Sequence, residues 1–258
     1  MFVDSHAHLE MREFETDRAP VISRAADAGV DLIITVGTNL GLSRKAVALA
    51  SQNENIFAAV GVHPHDVEKI NSQTYDELKE LVLNPKVVAY GEIGLDFFRN
   101  ISSRKQQIER FAEQLQLAAE MNLPVIIHDR DAHNESLQMV KASSIRNGVF
   151  HCFSGDYDMA VKCLDLGFYI SVPGVVTFAK AETLQNVVRK IPLESLLLET
   201  DCPYLTPNPH RGQRNEPAYI IHTANKVAEI KGLSLTEVAS VTAQNTLRLF
   251  RIDPSDNK

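Results

Sequence analysis

The chain has 258 residues, 44% of them hydrophobic and 23% charged, with a formal net charge of −7 and an isoelectric point near 5.7. Those proportions exclude a disordered or collagen-like chain. The acidic balance argues against a protein that holds polyanions by bulk charge, so a nucleic-acid partner would need a local source of positive charge.

Glycine (12) and proline (11) are too sparse for a linker-rich architecture, and no composition shift divides the chain, so one domain over residues 1–258 is expected. The cysteines at 152, 163 and 202 form no CxxC pair and cannot all pair within one chain. They point to a reducing cytoplasm. MFVDSHAHLE does not read as a signal peptide, and no apolar run approaches the roughly 20 residues of a membrane helix.

In chain order, short apolar runs fall at 1–3 leading into 5–8, then 30–36, 56–62, 87–93, 124–128, 148–153, 168–172 and 196–199. Several are almost continuously apolar, as parallel strands covered by helices should be. Between the fourth and fifth, Ile108, Phe111, Leu115 and Ala118 or Ala119 mark one face of a helix. Asn215 reads as a helix cap ahead of Pro217. Ile220, Ala224, Val227 and Ala228 form another stripe that Gly232 would end. Ser234 with Glu237 reads as a capping box for a last helix through about Arg248. Eight strands alternating with helices predict an α/β fold, a (β/α)₈ TIM barrel of metal-dependent hydrolase type. An open doubly wound sheet is the alternative, but its glycine-rich fingerprint is absent.

Metal-type side chains stand at the ends of these runs. His6 and His8, two apart in VDSHAHLE, share one side of a strand. Glu92 lies inside VVAYGEIGLD, where burial is costly unless it meets a cation; Gly91 and Gly94 leave room for close approach by a ligand. His128 ends PVIIH, His151 sits in VFHCF, and Asp201 follows three leucines in LLLETDCP. Each has a plainer reading: chance surface histidines, a solvated strand-end glutamate, hydrogen-bonded core histidines, a turn aspartate before Pro203. Together, four imidazoles and two carboxylates from five strands exceed what one tetrahedral ion requires and suit two ions sharing a carboxylate.

DSHAHLE, PVIIHDRDA and SLLLETDCPYLTP, with GVHPH, GEIGLDF, HCFSG and RGQRNEP between and after them, resemble the signatures of the TatD-related deoxyribonucleases, amidohydrolase-like barrels. Glu10 departs from the Asp or Asn usual at that position; lying beyond the ligand pair, it is expected to matter little. The resemblance implies two divalent ions per chain, one on His6, His8, Glu92 and Asp201, the other on Glu92, His128 and His151. Nitrogen-rich ligation suits zinc or manganese, whereas family nucleases are often described as magnesium-dependent.

The expected activity is hydrolysis of DNA phosphodiesters, with 3′–5′ exonuclease action on single-stranded or 3′ ends implied by the resemblance. Asp201 is the general-base candidate, and Glu92 joins it as the shared carboxylate. His63 and Arg130 are candidate phosphate contacts, although Arg130 also reads as a structural salt bridge with Asp129, Asp131 or another carboxylate. Arg211 and Arg214 could steer a polynucleotide, and Phe97, Phe98 and Tyr204 could stack bases. His65 is expected to be exposed; His133, His210 and His222 receive no role. The same centre could hydrolyse an ester or amide such as an aminoacyl-tRNA or a small molecule; a non-catalytic metal-bound scaffold is the remaining alternative. No membrane contact is expected, and the sequence leaves the oligomeric state open, a monomer being one option.

Overall fold

The computed structural model describes residues 1–253. Its first half runs β1 (Phe2–Ala7), α1 (Arg18–Asp27), β2 (Val30–Val36), α2 (Leu40–Gln52), β3 (Ile56–Val60), α3 (Ser72–Val82), β4 (Val87–Asp96) and α4 (Arg104–Glu120). The second half runs β5 (Val125–Arg130), α5 (His133–Ala142), β6 (Gly148–Phe150), α6 (Tyr157–Asp165), β7 (Phe168–Val172), α7 (Glu182–Lys190), β8 (Leu196–Leu198), α8 (Ile220–Lys231) and α9 (Leu235–Phe250). Neighbouring strands pair in parallel, in chain order, and curl into the expected nearly closed barrel. Its seam is closed just beyond β8: Asp201 N donates to His6 O and His8 N to Cys202 O, both at 2.9 Å.

Two apolar layers hold this arrangement. One lies between the sheet and the surrounding helices. The other fills the barrel interior with Leu32, Ile34, Val36, Phe57 and Ile126, and extends to Leu249 and Phe250 at the end of α9. Asn147, just before β6, donates to Leu249 O at 3.4 Å, which places that end of α9 under the strand N-termini. The floor is therefore sealed, and the C-terminal rim is the open end. Among the described residues no helix is long and apolar enough to cross a membrane.

Several local expectations are corrected. β4 continues to Asp96 and β5 to Arg130, while β3, β6 and β8 stop at Val60, Phe150 and Leu198. His63, His151 and Asp201 thus sit just past strand ends, whereas Glu92 and His128 are within strands. On α4, Ile108 is 38% exposed, and its expected place inside goes to two fully buried glutamines. Gln107 accepts from Asp96 N at 2.8 Å and donates to Asp96 O and Ser102 O; Gln114 accepts from Val62 N and donates to Val62 O, both at 2.9 Å. These amides satisfy backbone groups that the sheet leaves unpaired where β3 and β4 diverge. Ser234 accepts from Glu237 N at 3.1 Å as expected of an N-cap, and Gly232 ends α8 at φ +68°; the reciprocal capping box forms instead between Asn71 and Thr74 at the start of α3. Asn215 caps nothing: its amide donates to Thr200 O and Tyr204 O, bracing the loop after β8.

The room at Gly91 and Gly94 serves strand packing rather than a ligand. A Cβ on Gly94, whose φ is +144°, would lie 2.0 Å from His128 O, and one on Gly91 would lie 2.7 Å from Ile126 Cβ. β4 and β5 approach closely there, and that approach sets Glu92 beside His128. Gly94→Ala is therefore expected to cost about 3 kcal/mol or more through backbone collision. Gly232→Ala, whose new methyl meets nothing within 4 Å, should cost only about 1 kcal/mol through its left-handed backbone. Chemical denaturation of the two variants checks this order.

Candidate metal centre

At the open end five of the nine histidines, His6, His8, His63, His128 and His151, gather around one carboxylate. Glu92 is 3% exposed, and its two oxygens face different partners. Oε1 lies 2.7 Å from His128 Nδ1 and 2.7 Å from His151 Nε2. Oε2 lies 3.6 Å from His6 Nε2 and 3.9 Å from His8 Nε2. Asp201 Oδ1 completes the second group, 3.4 Å from His8 Nε2 and 3.8 Å from His6 Nε2. Asp201 is aimed there by a left-handed backbone (φ +53°) and by its N–H on His6 O. The six expected ligands thus converge around Glu92.

Hydrogen bonds behind the rings decide which nitrogens are free. Val36 O can only accept, so His8 Nδ1 carries a proton at 2.7 Å from it, which leaves Nε2 as the nitrogen able to hold a cation at the cluster. His63 has the opposite tautomer. Its Nδ1 accepts from His65 N at 3.1 Å, so its Nε2–H points toward Glu92 Oε1, 3.6 Å away. Burial, with His128 nearby, pushes the His63 pKa well below its ordinary value, which keeps the ring neutral. Three donor triads fall within ion-binding reach: His6–His8–Glu92, His63–Glu92–His128 and His6–His151–Glu199. The His63 tautomer argues against the second as a ligand set and leaves His63 a hydrogen-bond donor at the cavity.

The carboxylates are poised as acceptors. Burial alone would raise Glu92, but His151, His63 and the hydrogen bonds from His128 and His151 outweigh it and hold its carboxyl well below the usual range. Asp201 is lowered as well, burial being overcome by His8, His6 and His151. Deprotonated carboxylates and imidazole lone pairs at 3.3–3.9 Å separations, including 3.3 Å between His6 Nε2 and His8 Nε2, have the chemistry and spacing of a transition-ion site.

A further ring of buried carboxylates, which the motif reading misses, stands behind these side chains. Asp96 Oδ2 lies 2.8 Å from His65 Nε2 and 3.4 Å from His128 Nε2. Glu199 Oε1 accepts from Cys152 N at 2.6 Å and lies 3.6 Å from His151 Nδ1. Asp4 accepts from Thr200 N and Thr200 Oγ1 at 2.9 and 2.6 Å, and burial pushes its carboxyl up to about 7. Glu10 is not a bystander: it is buried, accepts from Thr35 Oγ1 at 2.6 Å and lies 3.6 Å from His8 Nδ1. Their signal in the sequence is a period of two: 4, 6, 8 and 10 along β1 and beyond it; 92 and 96 on β4; 199 and 201 after β8.

The cluster opens into a cavity of about 750 Å³ lined by His63, His65, Arg99, Arg130, Lys180 and Tyr204 among others. Among the described residues, the side chains of Arg99, Arg130 and Lys180 have no acidic or hydrogen-bonding partner; the expected pairing of Arg130 with a carboxylate is absent, and its guanidinium lies over the Phe98 ring. His65 is only part-exposed, because Asp96 holds it inward. Arg211 does not line the cavity: it stacks on Phe178 at 3.8 Å. Arg214 is tied to both Asp17 oxygens and to Glu13 O, and Phe97 is 8% exposed beneath Arg104. His133 pairs with Asp129, and His210 stacks on Tyr219 outside the cavity.

Comparison with known proteins agrees with this centre. The family described as TatD related DNase matches residues 3–251. The uncharacterized metal-dependent hydrolase YabD of Bacillus subtilis (strain 168) is 41% identical, covering 98% of this chain and all of its own. The 3′-5′ ssDNA/RNA exonuclease TatD of Escherichia coli (strain K12) is 37% identical, over 96% of this chain and 98% of its own. The solved structure of YJJV, a TatD homologue from Escherichia coli K12, superposes with a TM-score of 0.92 at 36% identity, covering 98% of both chains. A family match over nearly the whole length, a relative at 41% identity and a histidine–carboxylate cluster at the barrel mouth together place the chain in the TatD-related DNase family, as a metal-dependent hydrolase.

Proposed function

We propose that this hydrolase removes nucleotides from the 3′ end of single-stranded DNA, with two divalent cations held at the barrel mouth. The observation that carries the reading is the split of Glu92: one oxygen faces His128 and His151, the other His6 and His8 with Asp201 beside them. His6, His8, Glu92 and Asp201 would hold one ion, and Glu92, His128 and His151 the second. Bound there, such ions lower the pKa of a water and polarise a phosphoryl oxygen. Imidazole-rich ligation favours zinc or manganese over magnesium.

The remaining work falls to the chain's own groups. Asp201, ionised and with its side chain 13% exposed, accepts the proton of the attacking water. His63 donates from Nε2 to a phosphate oxygen, and Arg99, Arg130 and Lys180 supply the local positive charge that an acidic chain must otherwise lack. Support for a nucleic-acid substrate comes from these unpaired cations around the cluster and from the exonuclease relative at 37% identity.

Purified protein supplied with manganese, zinc or magnesium is expected to shorten 3′-extended single strands, measured on end-labelled oligonucleotides. Chelation should abolish the activity, and Asp201→Asn should lower it by about 10²–10⁴-fold. Turnover of esters or amides with no shortening of DNA would overturn the reading. His6→Ala and His128→Ala should each lower the bound metal by about one ion per chain, checked by elemental analysis; two tightly held ions in each variant would refute the partition. Lys180→Gln should weaken oligonucleotide binding and reduce the slope of log affinity against log salt by about 0.7, read by fluorescence anisotropy over a salt series.

A further inference from the structure

We propose that Phe98 and Arg130 form a stacking subsite for the nucleobase beside the scissile phosphate, which makes the enzyme select an unpaired, base-bearing end. This rests on the nuclease reading above and adds a residue-level source of substrate choice.

Phe98 is 59% exposed, although Phe97 next to it is buried. Two more of the large apolar side chains left in solvent, Ile101 and Tyr204, are on loops at the same end of the barrel and line the cavity. Arg130 Cζ lies 4.1 Å from the centre of the Phe98 ring. A guanidinium stacked in this way keeps its N–H edge for a phosphate oxygen and extends the flat π surface of the ring. No carboxylate occupies that edge among the described residues. Aromatic faces alternating with guanidinium groups bind unstacked bases of any sequence.

The platform is also held in fixed relation to the metal centre. Asp96 Oδ1 accepts from Arg99 N at 2.7 Å and Asp96 O from Asn100 N at 3.2 Å, closing the turn that presents Phe98. Phe97 N donates to Arg130 O at 2.9 Å, joining that turn to the end of β5. The other oxygen of Asp96 faces His65 and His128, and strand register sets Gly94 opposite His128 and Asp96 opposite Arg130. The charge of the neighbours selects the occupant. Phe98 is not itself in the cavity wall, but Arg130, which lies over it, lines the cavity with Arg99 and Lys180, so a ligand reaching both must be anionic as well as flat, as a nucleotide chain is. A base within a duplex is already stacked and paired, and must give up both contacts to reach Phe98.

The test uses the full-length protein with added manganese and oligonucleotides protected at the 3′ terminus by phosphorothioate linkages. The terminal nucleotide carries either 2-aminopurine or an abasic sugar. Wild-type protein is expected to quench the 2-aminopurine and to bind the base-bearing end about tenfold more tightly than the abasic one. Phe98→Ala should reduce that ratio to about one and remove the quenching, Phe98→Tyr should retain both, and Leu83→Ala, an exposed apolar residue elsewhere, should leave the ratio unchanged. If wild-type protein neither binds nor shortens single strands with any of the three metals, the nuclease reading falls and takes the subsite with it. If it does so and Phe98→Ala keeps the wild-type ratio and quenching, the subsite alone is refuted.

Discussion

A glutamate buried inside a β-strand is the constraint on which the mouth of this barrel depends. Glu92 has lost nearly all its water, and an ionised carboxylate tolerates that only when opposite charge or donors replace the hydration. The replacements come from every side: His128 and His151 on one oxygen, His6 and His8 on the other. Those imidazoles are themselves enclosed: Val36 O orients His8, and Asp96, Glu199 and Glu10 stand 3.4–3.6 Å from ring nitrogens of His128, His151 and His8. The site is thus built in alternating shells of acid and imidazole, each compensating the next. Removing one member strands another, so neither shell can be altered without the other responding.

The strand–helix alternation was legible because it is written in long apolar runs and their spacing, which tolerate errors of a few residues. The six expected ligands were legible for a related reason: a charged or imidazole side chain within or after an apolar run contradicts its surroundings. What stayed hidden depended on neighbours distant in sequence. Gln107 and Gln114 read as the polar side of a helix, because their inward role exists only where β3 and β4 diverge above α4. Gly94 read as space for a ligand, because nothing local reveals that the His128 carbonyl fills that space. Arg130 ends β5 and Arg214 lies in the loop after β8, with the same charge; only the fold ties Arg214 to Asp17 and leaves Arg130 over Phe98.

The acidic composition and the polyanionic substrate proposed above become compatible through this distribution. Several basic side chains elsewhere are neutralised by carboxylates, as Arg24 is by Glu216 and Arg110 by Glu113. The cavity cations Arg99, Arg130 and Lys180 are exposed, so they contribute by standing together at one opening rather than by burial. A chain of net charge −7 can thus still offer the proposed substrate three cationic side chains with no carboxylate partner among the described residues.

Closing the barrel and assembling the site are parts of one event. The seam between β1 and β8 is not finished by strand pairing but by the segment carrying Asp201: Thr200 bonds to Asp4, Asp201 N to His6 O, and His8 N to Cys202 O. His6 and Asp201 therefore reach each other only when the last strand has joined the first. α9 seals the opposite end against the same interior layer, so the contacts that stabilise closure also fix the ligands at the rim. A substitution that loosens the seam should therefore disturb the metal centre before it unfolds the remaining strands, because Asp4 and Thr200 hold the Asp201 segment through side-chain bonds with no continuous strand ladder behind them.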